Sequence, residues 1–134
     1  MNTKTKIIIV NESEQFRLGI KYYLESECGC EIINQASNAN EFQKLDNIFN
    51  ADAILMDLNL SDHCSYDLAF GTIAKYRSAK IIALTSHIES VSVIKILESG
   101  FKACVFKEKI FIDIFPAIQK VIKNEYSISD GIAI

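Results

Sequence analysis

Short apolar runs rich in β-branched residues alternate along this chain with longer segments whose apolar residues recur at helical spacing. Five runs predict strands: KIIIV (6–10), CEIINQA (30–36), AILMD (53–57), KIIALTS (80–86) and ACVFK (103–107). A segment with helical periodicity follows each run, and parallel strands need such crossover connections, which are right-handed. The alternation therefore predicts an α/β fold, a doubly wound five-stranded parallel sheet with helices on both faces.

Single residues mark the predicted ends of the helices. Ser13 is expected to cap the first helix and Asn40 the second, because short polar side chains accept hydrogen bonds from the free amides of a first turn. The second helix would present three apolar residues on one face: Phe42, Leu45 and Phe49. Gly100 predicts the end of the fourth helix. Pro116 is expected within the first turn of the last helix, since a proline deeper in a helix removes a hydrogen bond and clashes.

The length and charge of the chain limit its function. With 134 residues and 49% hydrophobic content it can form one domain. We assign residues 1–124 to that domain and expect residues 125–134 to be a linker or the start of an absent C-terminal domain. A net charge of −3 disfavours binding to nucleic-acid phosphates, so a DNA role would need another domain. The apolar runs are far shorter than the ~18 residues of a membrane span, and no secretory signal is recognisable, so we expect a cytoplasmic protein without a membrane partner.

The cysteines and histidines do not form a metal-binding pattern. Cys28 and Cys30 lie in the sequence CGC, whereas zinc sites use two sets of C-x2-C pairs. Free cysteine commonly behaves as a small buried apolar residue, so structural roles are expected. His63 and His87 have no partner at a recognisable ligand spacing, and we expect both in loops.

Polar residues follow four of the five predicted strands. Asp57 ends an apolar run, and a carboxylate there needs either solvent at the strand end or cationic partners. The carboxyl ends of parallel strands share one edge of a sheet, where ligands bind at the point at which strand order reverses. The polar strand-end residues are Asn11, Glu12, Asp57, Thr85, Ser86 and Lys107. Carboxylates, hydroxyls and an ammonium at one edge predict a functional site.

This set resembles the receiver domain of two-component response regulators over roughly residues 5–124. The residues that carry the resemblance are Asn11 and Glu12 after the first strand, Asp57 in LMDLNL, Thr85 in IIALTS and Lys107 in ACVFK. The segments ESEQFRLGIKYYLE and IFPAIQKVIKNEYSIS are similar to the subgroup whose receivers precede a helix-turn-helix DNA-binding domain. The family implies the strand order 2-1-3-4-5.

The resemblance implies a role for each residue of the set. Asp57 would accept a phosphoryl group from a sensor histidine kinase or from a small acyl-phosphate donor. Mg²⁺ would be held by Glu12, Asp57, the backbone carbonyl of Asn59 and, through a water ligand, Asn11. Lys107 would neutralise charge, and Thr85 would hydrogen-bond the new phosphoryl oxygens. The domain would be a signalling module rather than an enzyme, one that assists its own phosphorylation and dephosphorylation.

Several positions depart from the family pattern. Asn11 replaces a carboxylate, which predicts weak Mg²⁺ binding. Glu108 stands where a proline is typical, and it either repels the phosphate or faces water. Cys104 replaces an aromatic residue that rotates inward on activation, so any signal would travel through Thr85 and the surface of the fourth helix. Two serines replace the usual proline and glycine after the third strand: Ser61 and Ser65.

Two alternatives to a phosphorylated receiver stay open. The departures are compatible with a pseudo-receiver, a receiver-shaped interaction module that works without phosphorylation. An α/β domain that binds a nucleotide or flavin at the same edge is disfavoured, because no glycine-rich turn follows the first strand and the first glycine is Gly19. Mg²⁺-dependent incorporation of phosphate would separate the first two classes, and a bound chromophore would indicate the third.

The family uses its fourth helix, fifth strand and fifth helix as the face for dimers and for docking of the output domain. Here that face spans about residues 89–124. Five apolar residues crowd into it: Phe101, Ile110, Phe111, Ile112 and Phe115. One helix face cannot bury all of them, so at least one or two are expected to be exposed, and exposed apolar clusters rimmed by charge tend to be contact sites. We therefore expect a homodimer contact and control of an output, transcription, through this face.

Overall fold

Strands and helices alternate in the computed structural model, which describes residues 3–86 and 92–128. The elements, in chain order, are β1 (Lys6–Val10), α1 (Glu14–Ser26), β2 (Glu31–Ala36), α2 (Ala39–Gln43), β3 (Ala53–Asp57), α3 (Ser65–Lys75), β4 (Ile81–Thr85), α4 (Val93–Glu98), β5 (Ala103–Phe106), α5 (Ile110–Ile122) and β6 (Ser127–Ile128). Short 3₁₀ turns precede β3 and α5, at Ile48–Asn50 and Lys107–Lys109. The predicted alternation of strands and helices is confirmed.

The strands form one parallel sheet with the order β2-β1-β3-β4-β5-β6. The doubly wound fold is confirmed, but the sheet has six strands in the described part of the chain and not the predicted five. The sixth forms because α5 ends in a tight turn at Asn124, whose φ of 64° reverses the chain. The returning chain then donates a hydrogen bond from Ser127 N to Lys102 O at 3.0 Å, and β6 pairs with β5.

The two faces of the sheet bury separate apolar cores, because side chains alternate along each strand. Helices α1 and α5 cover one face, with Ile20 and Ile114 packed against residues such as Leu55. Helices α2, α3 and α4 cover the other face, with Phe42 and Ile96 in the same cluster as strand residues. The four inner strands are therefore almost wholly buried, which explains why their sequences are continuous apolar runs rather than alternating ones.

The predicted cap of α1 is confirmed, and that of α2 is wrong. Ser13 Oγ accepts a hydrogen bond from Phe16 N at 3.1 Å, as an N-cap should. In α2 the cap is Asn38, whose Oδ1 accepts from Glu41 N, so Asn40 lies inside the first turn. That helix is only five residues long, and Phe49, expected on its buried face, is 71% exposed.

The predicted position of Pro116 in α5 is also wrong. The 3₁₀ turn at Lys107–Lys109 runs directly into the helix, so α5 begins at Ile110 and Pro116 lies in its second turn. There it leaves the carbonyl of Ile112 without the usual amide donor four residues on. Gly100 follows α4 with a φ of 96°, which confirms its predicted role as the helix stop.

Some predictions fall on parts of the chain outside the described residues. These parts include His87, the first residues of the predicted fourth helix, and residues 129–134. The assignment of residues 125–134 to a linker or a further domain stays a prediction. Over residues 3–86 and 92–128, no helix is both long enough and apolar enough to span a membrane.

Candidate functional site

Asp57 lies at the carboxyl end of β3, in the middle of the sheet. Strand β3 pairs with β1 on one side and β4 on the other, and Asp57 stands opposite Leu84 in the register. The carboxylate is almost completely removed from solvent, with the residue 4% exposed. Such a group needs close partners, because an unpaired charge in this environment is strongly unfavourable.

Three donors surround the Asp57 carboxylate. Lys107 Nζ lies 2.6 Å from Oδ2 and forms a salt bridge with it. Asn11 Nδ2 donates to the same oxygen at 2.8 Å, and the backbone N–H of Asn59 donates to Oδ1 at 2.8 Å. The buried carboxylate is thus held by one ammonium and two neutral N–H groups. Of the two possibilities for a carboxylate at this strand end, solvent or a cationic partner, Asp57 has the cationic partner.

Thr85 is the last residue of β4 and is buried at the same edge of the sheet. It follows Leu84, the register partner of Asp57, and stands opposite Phe106, the residue before Lys107. The fold therefore brings Asp57, Thr85 and Lys107 to one edge, as the sequence predicts for the carboxyl ends of adjacent parallel strands. The chemical roles of these residues stay predictions.

Glu12 lies beside this centre, on the exposed loop after β1. Its Oε2 accepts hydrogen bonds from both the backbone N–H and the hydroxyl of Ser61, which belongs to the loop after β3. The side-chain bond and then the backbone bond from Ser61 hold the pKa of Glu12 below its ordinary value. The two donors of Ser61 thus hold the charged Glu12 carboxylate next to the loop that carries Asn59.

The Asn11 side chain makes two hydrogen bonds at this edge of the sheet. Its Oδ1 accepts a hydrogen bond from the backbone N–H of Ser13 at 2.8 Å. A backbone N–H can only donate, so this contact fixes which end of the amide is oxygen and directs the NH₂ group to Asp57. The group that faces Asp57 is therefore a donor, and the role of the Asn11 oxygen towards a metal-bound water stays a prediction.

The donor set fits Mg²⁺ in kind but with a low charge. Carboxylate and carbonyl oxygens are the ligands that Mg²⁺ prefers, and Glu12, Asp57 and the Asn59 carbonyl would supply them. In the described ranges, no group of three or more His, Cys, Asp and Glu side chains could hold a metal ion. With Lys107 bonded to Asp57, the site carries two carboxylates and one ammonium, so its net attraction for a cation is small.

Three residues near Asp57 were missed by the sequence reasoning as site residues. Ser65 is buried at the start of α3 and donates its hydroxyl to the backbone carbonyl of Asp57 at 2.7 Å. Arg17 donates through Nη1 to the carbonyl of Asn11, and the Phe16 ring centroid lies 5.5 Å from Lys107 Nζ. The sequence signalled only Ser65, as a departure from the family's glycine, because the other two contacts depend on where α1 packs.

The departures at Cys104 and Glu108 have different environments. Cys104 is fully buried in β5, and burial raises the pKa of its thiol to about 12. Next to this region the Tyr66 ring packs edge-on against Phe101, with centroids 6.1 Å apart, and Lys95 Nζ of α4 lies 4.5 Å from the Tyr66 centroid. Glu108 is exposed, which matches the expectation that its side chain faces water.

The apolar cluster of the predicted partner face is partly exposed, as expected. Phe101 and Ile110 are buried, whereas Phe111 is 54% and Ile112 is 74% exposed. Phe115 is partly buried against α1 and the sheet. The exposed pair lies at the start of α5, where the Phe111 ring packs edge-on against Tyr23 of α1 at 5.2 Å between centroids.

All four cysteines are free thiols: Cys28, Cys30, Cys64 and Cys104. Cys30 and Cys104 are buried, and burial raises the pKa of Cys30 to about 11. His63 is exposed between β3 and α3, which confirms its predicted loop position. These environments agree with the expectation of structural or incidental thiols.

Known proteins share both the sequence pattern and the fold. The sequence profile of the response regulator receiver domain matches residues 7–119. Response regulator protein VraR of Staphylococcus saprophyticus is 28% identical over 120 residues, which cover 90% of this chain and 57% of VraR. Transcriptional regulatory protein LiaR of Bacillus subtilis is 27% identical over 128 residues, which cover 96% of this chain and 61% of LiaR. The chain thus spans about three fifths of the length of these relatives.

Solved structures support the same fold. A two-component response regulator of the LuxR family from Aurantimonas sp. superposes with a TM-score of 0.86 at 21% identity, over 97% of this chain and 93% of that one. The isolated REC domain of RcsB from Salmonella enterica serovar Typhimurium superposes with a TM-score of 0.77 at 18% identity, over 97% and 96% of the two chains. At these identities the likeness concerns the fold alone.

Proposed function

Because the chain belongs to the response regulator receiver family, we propose that it accepts a phosphoryl group on Asp57 and thereby controls an output. The observation that carries this proposal is the position of Asp57, buried at the strand end with Lys107 Nζ 2.6 Å from its carboxylate. A nucleophile held by an ammonium in a nearly dry site is suited to phosphoryl transfer, which depends on positioning and charge neutralisation. The donor would be the phosphohistidine of a sensor histidine kinase or a small acyl phosphate.

The transfer needs one bond formed and one broken. A carboxylate oxygen of Asp57 attacks phosphorus and forms an aspartyl phosphate. With phosphohistidine, the phosphorus–nitrogen bond breaks and the imidazole leaves, neutral after taking up a proton. With an acyl phosphate, the phosphorus–oxygen bond breaks and a carboxylate leaves. Lys107 moves its hydrogen bond from the carboxylate to the phosphoryl oxygens, and the hydroxyl of Thr85 is the second protein donor for them.

Receiver domains generally bind Mg²⁺ at an acidic pocket, and here Glu12, Asp57 and the Asn59 carbonyl would hold it. When bound, the ion supplies positive charge that offsets the charge on the transferred phosphoryl group. Ser61 positions Glu12 for this role through its two hydrogen bonds. The low charge of the donor set makes binding weak.

The output would be controlled through the face of α4, β5 and α5. Exposed apolar side chains lie on both helices of this face: Ile94, Leu97, Phe111 and Ile112. LiaR is a transcriptional regulatory protein, and this chain corresponds to 61% of its length. We infer that the chain regulates transcription through a helix-turn-helix output domain outside this sequence, with DNA contacted only by that domain, and that phosphorylation strengthens a weak homodimer.

A pseudo-receiver is the second candidate, and specific substitutions favour it. Asn11 stands in the place of a carboxylate, and Cys104 in the place of the family's mobile aromatic residue. Such a domain would present the same α4-β5-α5 face without phosphorylation. It would contact its partner equally well whether or not Asp57 is modified.

Intact-mass measurement after incubation with a small acyl phosphate and Mg²⁺ separates the two candidates. The chain is expected to gain the mass of one phosphoryl group, and Asp57→Asn is expected to gain none. Equal labelling of both proteins would refute Asp57 as the acceptor, and no labelling of either would favour the pseudo-receiver. Sedimentation velocity across a concentration series then tests dimerisation, with Ile112→Glu as the variant that should stay monomeric.

A further inference from the structure

Asn11 holds the phosphoacceptor with a neutral donor at a position where the family has a negative charge. We propose that Asn11 is a positioning residue that takes over part of the work of the divalent cation, so that modification of Asp57 depends less on Mg²⁺ than in a site with a carboxylate at residue 11. This inference rests on the proposed phosphoacceptor function and concerns the regulation of that same site by its metal.

The orientation of Asn11 is fixed on every side. Its backbone N–H donates to Ala36 O at 3.0 Å, and its backbone carbonyl accepts from Arg17 Nη1. Its Oδ1 accepts from Ser13 N, and its Nδ2 donates to Asp57 Oδ2 at 2.8 Å. The residue is only 2% exposed, so water does not compete for the amide. The donor is therefore aimed at Asp57 before any ligand arrives and needs no reorganisation.

The charge balance at Asp57 shows what this donor replaces. Asp57 now faces one ammonium, from Lys107, and two neutral donors, from Asn11 and Asn59. An aspartate at residue 11 would instead place a second carboxylate within hydrogen-bond distance and could not donate when ionised. With the exposed Glu12, the site would then carry three carboxylates and one ammonium, and the two buried carboxylates would need a further cation to be tolerated. The asparagine lowers that need by one negative charge.

The same geometry predicts a lower affinity for the metal. The amide nitrogen of Asn11, which faces Asp57, is not a metal ligand, and the amide oxygen is neutral and directed towards Ser13 N. Mg²⁺ would thus find one carboxylate fewer than in a site with two acidic residues after β1. The lower affinity for Mg²⁺ and the smaller dependence of Asp57 modification on Mg²⁺ therefore have one cause. At residue 11 a neutral donor replaces a charged acceptor.

Labelling rates with a small acyl phosphate, measured in Mg²⁺ and in excess chelator, test this inference. Asn11→Asp adds the missing carboxylate, and Asn50→Asp adds the same charge at an exposed position on the 3₁₀ turn before β3 as the matched control. The ratio of the rate in Mg²⁺ to the rate in chelator is expected to be roughly tenfold or more larger for Asn11→Asp than for the wild type, the size of effect that one hydrogen bond to a charged group gives. Asn50→Asp should keep the wild-type ratio.

Asn11→Ala removes the donor without adding charge. This variant tests the role of Asn11 even if Asn11→Asp does not fold in chelator. In chelator its labelling should be about tenfold slower than that of the wild type, and Mg²⁺ should shrink the difference. Similar differences in both conditions would mean that Asn11 and the metal act independently, and would overturn the inference.

Thermal unfolding with and without Mg²⁺ gives a readout that needs no phosphorylation. Mg²⁺ should raise the melting temperature of Asn11→Asp clearly more than that of the wild type or of Asn50→Asp. Equal shifts, together with equal ratios of labelling rates, would overturn the inference while the phosphoacceptor function stood. If no protein is labelled in any condition, the proposed function fails, and the melting shifts alone decide the role of Asn11.

Discussion

Replacing Lys107 by methionine removes the only ammonium bonded to Asp57 among the described residues and keeps most of the side-chain volume. Breaking a fully buried ion pair by removing one partner costs about 3–5 kcal/mol, because the other charge stays buried. Here the side chains of Lys107 and Asp57 are 24% and 5% exposed, and the N–H donors of Asn11 and Asn59 remain. We therefore expect a loss of about 2 kcal/mol in the free energy of unfolding.

Urea unfolding followed by circular dichroism measures this loss. For a domain of this size a loss of about 2 kcal/mol corresponds to a melting temperature lower by about 6 °C. Lys109→Met is the matched control, because Lys109 is an exposed lysine on the same 3₁₀ turn, and it should change the stability by less than about 0.5 kcal/mol.

A double-mutant cycle assigns the loss to the ion pair. Once Asp57→Asn has removed the buried charge, Lys107→Met should cost much less than in the wild type. If Lys107→Met were as stable as the wild type, or cost the same in both backgrounds, the explanation of how Asp57 is held in the sheet would be wrong.

Three further outcomes follow from single contacts. Ser61→Ala should raise the pKa of Glu12 part of the way towards its ordinary 4.5 in an NMR titration, because it removes the hydroxyl bond, the larger of the two Ser61 bonds that lower this pKa, and keeps the backbone N–H; the stabilising effect of these bonds is present above the ordinary pKa and lost as pH falls through the folded-state pKa. An unchanged Glu12 titration would contradict that assignment. Brief alkylation followed by peptide mass spectrometry should modify Cys64, which is exposed, and spare Cys104, which is buried with a pKa raised to about 12; the reverse order would count against the buried strand. Gly100→Ala should lower the stability in urea by about 1–2 kcal/mol, since a side chain at a φ of 96° is strained, and a neutral result would mean that this turn relaxes.

The sequence predicted the edge of the sheet at which the site lies, because that prediction needs only the order of strands and helices. Parallel strands end on the same side, so polar residues after the apolar runs must gather there. Asp57, Thr85 and Lys107 do so, and Lys107 reaches Asp57 directly. Local rules also placed Ser13 and Gly100 correctly, since each acts through its own backbone and the next few residues.

The wrong predictions have causes that lie outside the local pattern. Asn40 is not the cap of α2 because asparagine also stands at residue 38, and the geometry of the turn before the helix, which residue types do not predict, makes Asn38 the cap. Pro116 is tolerated inside α5 because the strongly apolar face of that helix is buried against the sheet, where packing outweighs one missing hydrogen bond. The strand β6 has only two residues and depends on the turn at Asn124.

The orientation of Asn11 could not have been predicted from residue types. An asparagine can present an oxygen or an NH₂ group, and the backbone N–H of Ser13 makes the choice. The contact of Arg17 with the Asn11 carbonyl likewise depends on how α1 packs beside β1. The sequence predicted that Asp57, Thr85 and Lys107 share one edge of the sheet, but not the hydrogen bonds that Asn11 and Asn59 donate to the Asp57 carboxylate.

Site mapping of the phosphoryl group tests the central claim most directly. The chain is labelled with a small acyl phosphate in Mg²⁺, divided into portions with and without hydroxylamine, and digested for tandem mass spectrometry. We predict a single hydroxylamine-labile phosphoryl group on the peptide that contains Asp57, since an acyl phosphate reacts with that nucleophile. A hydroxylamine-stable label, or a label on any other residue, would contradict the account.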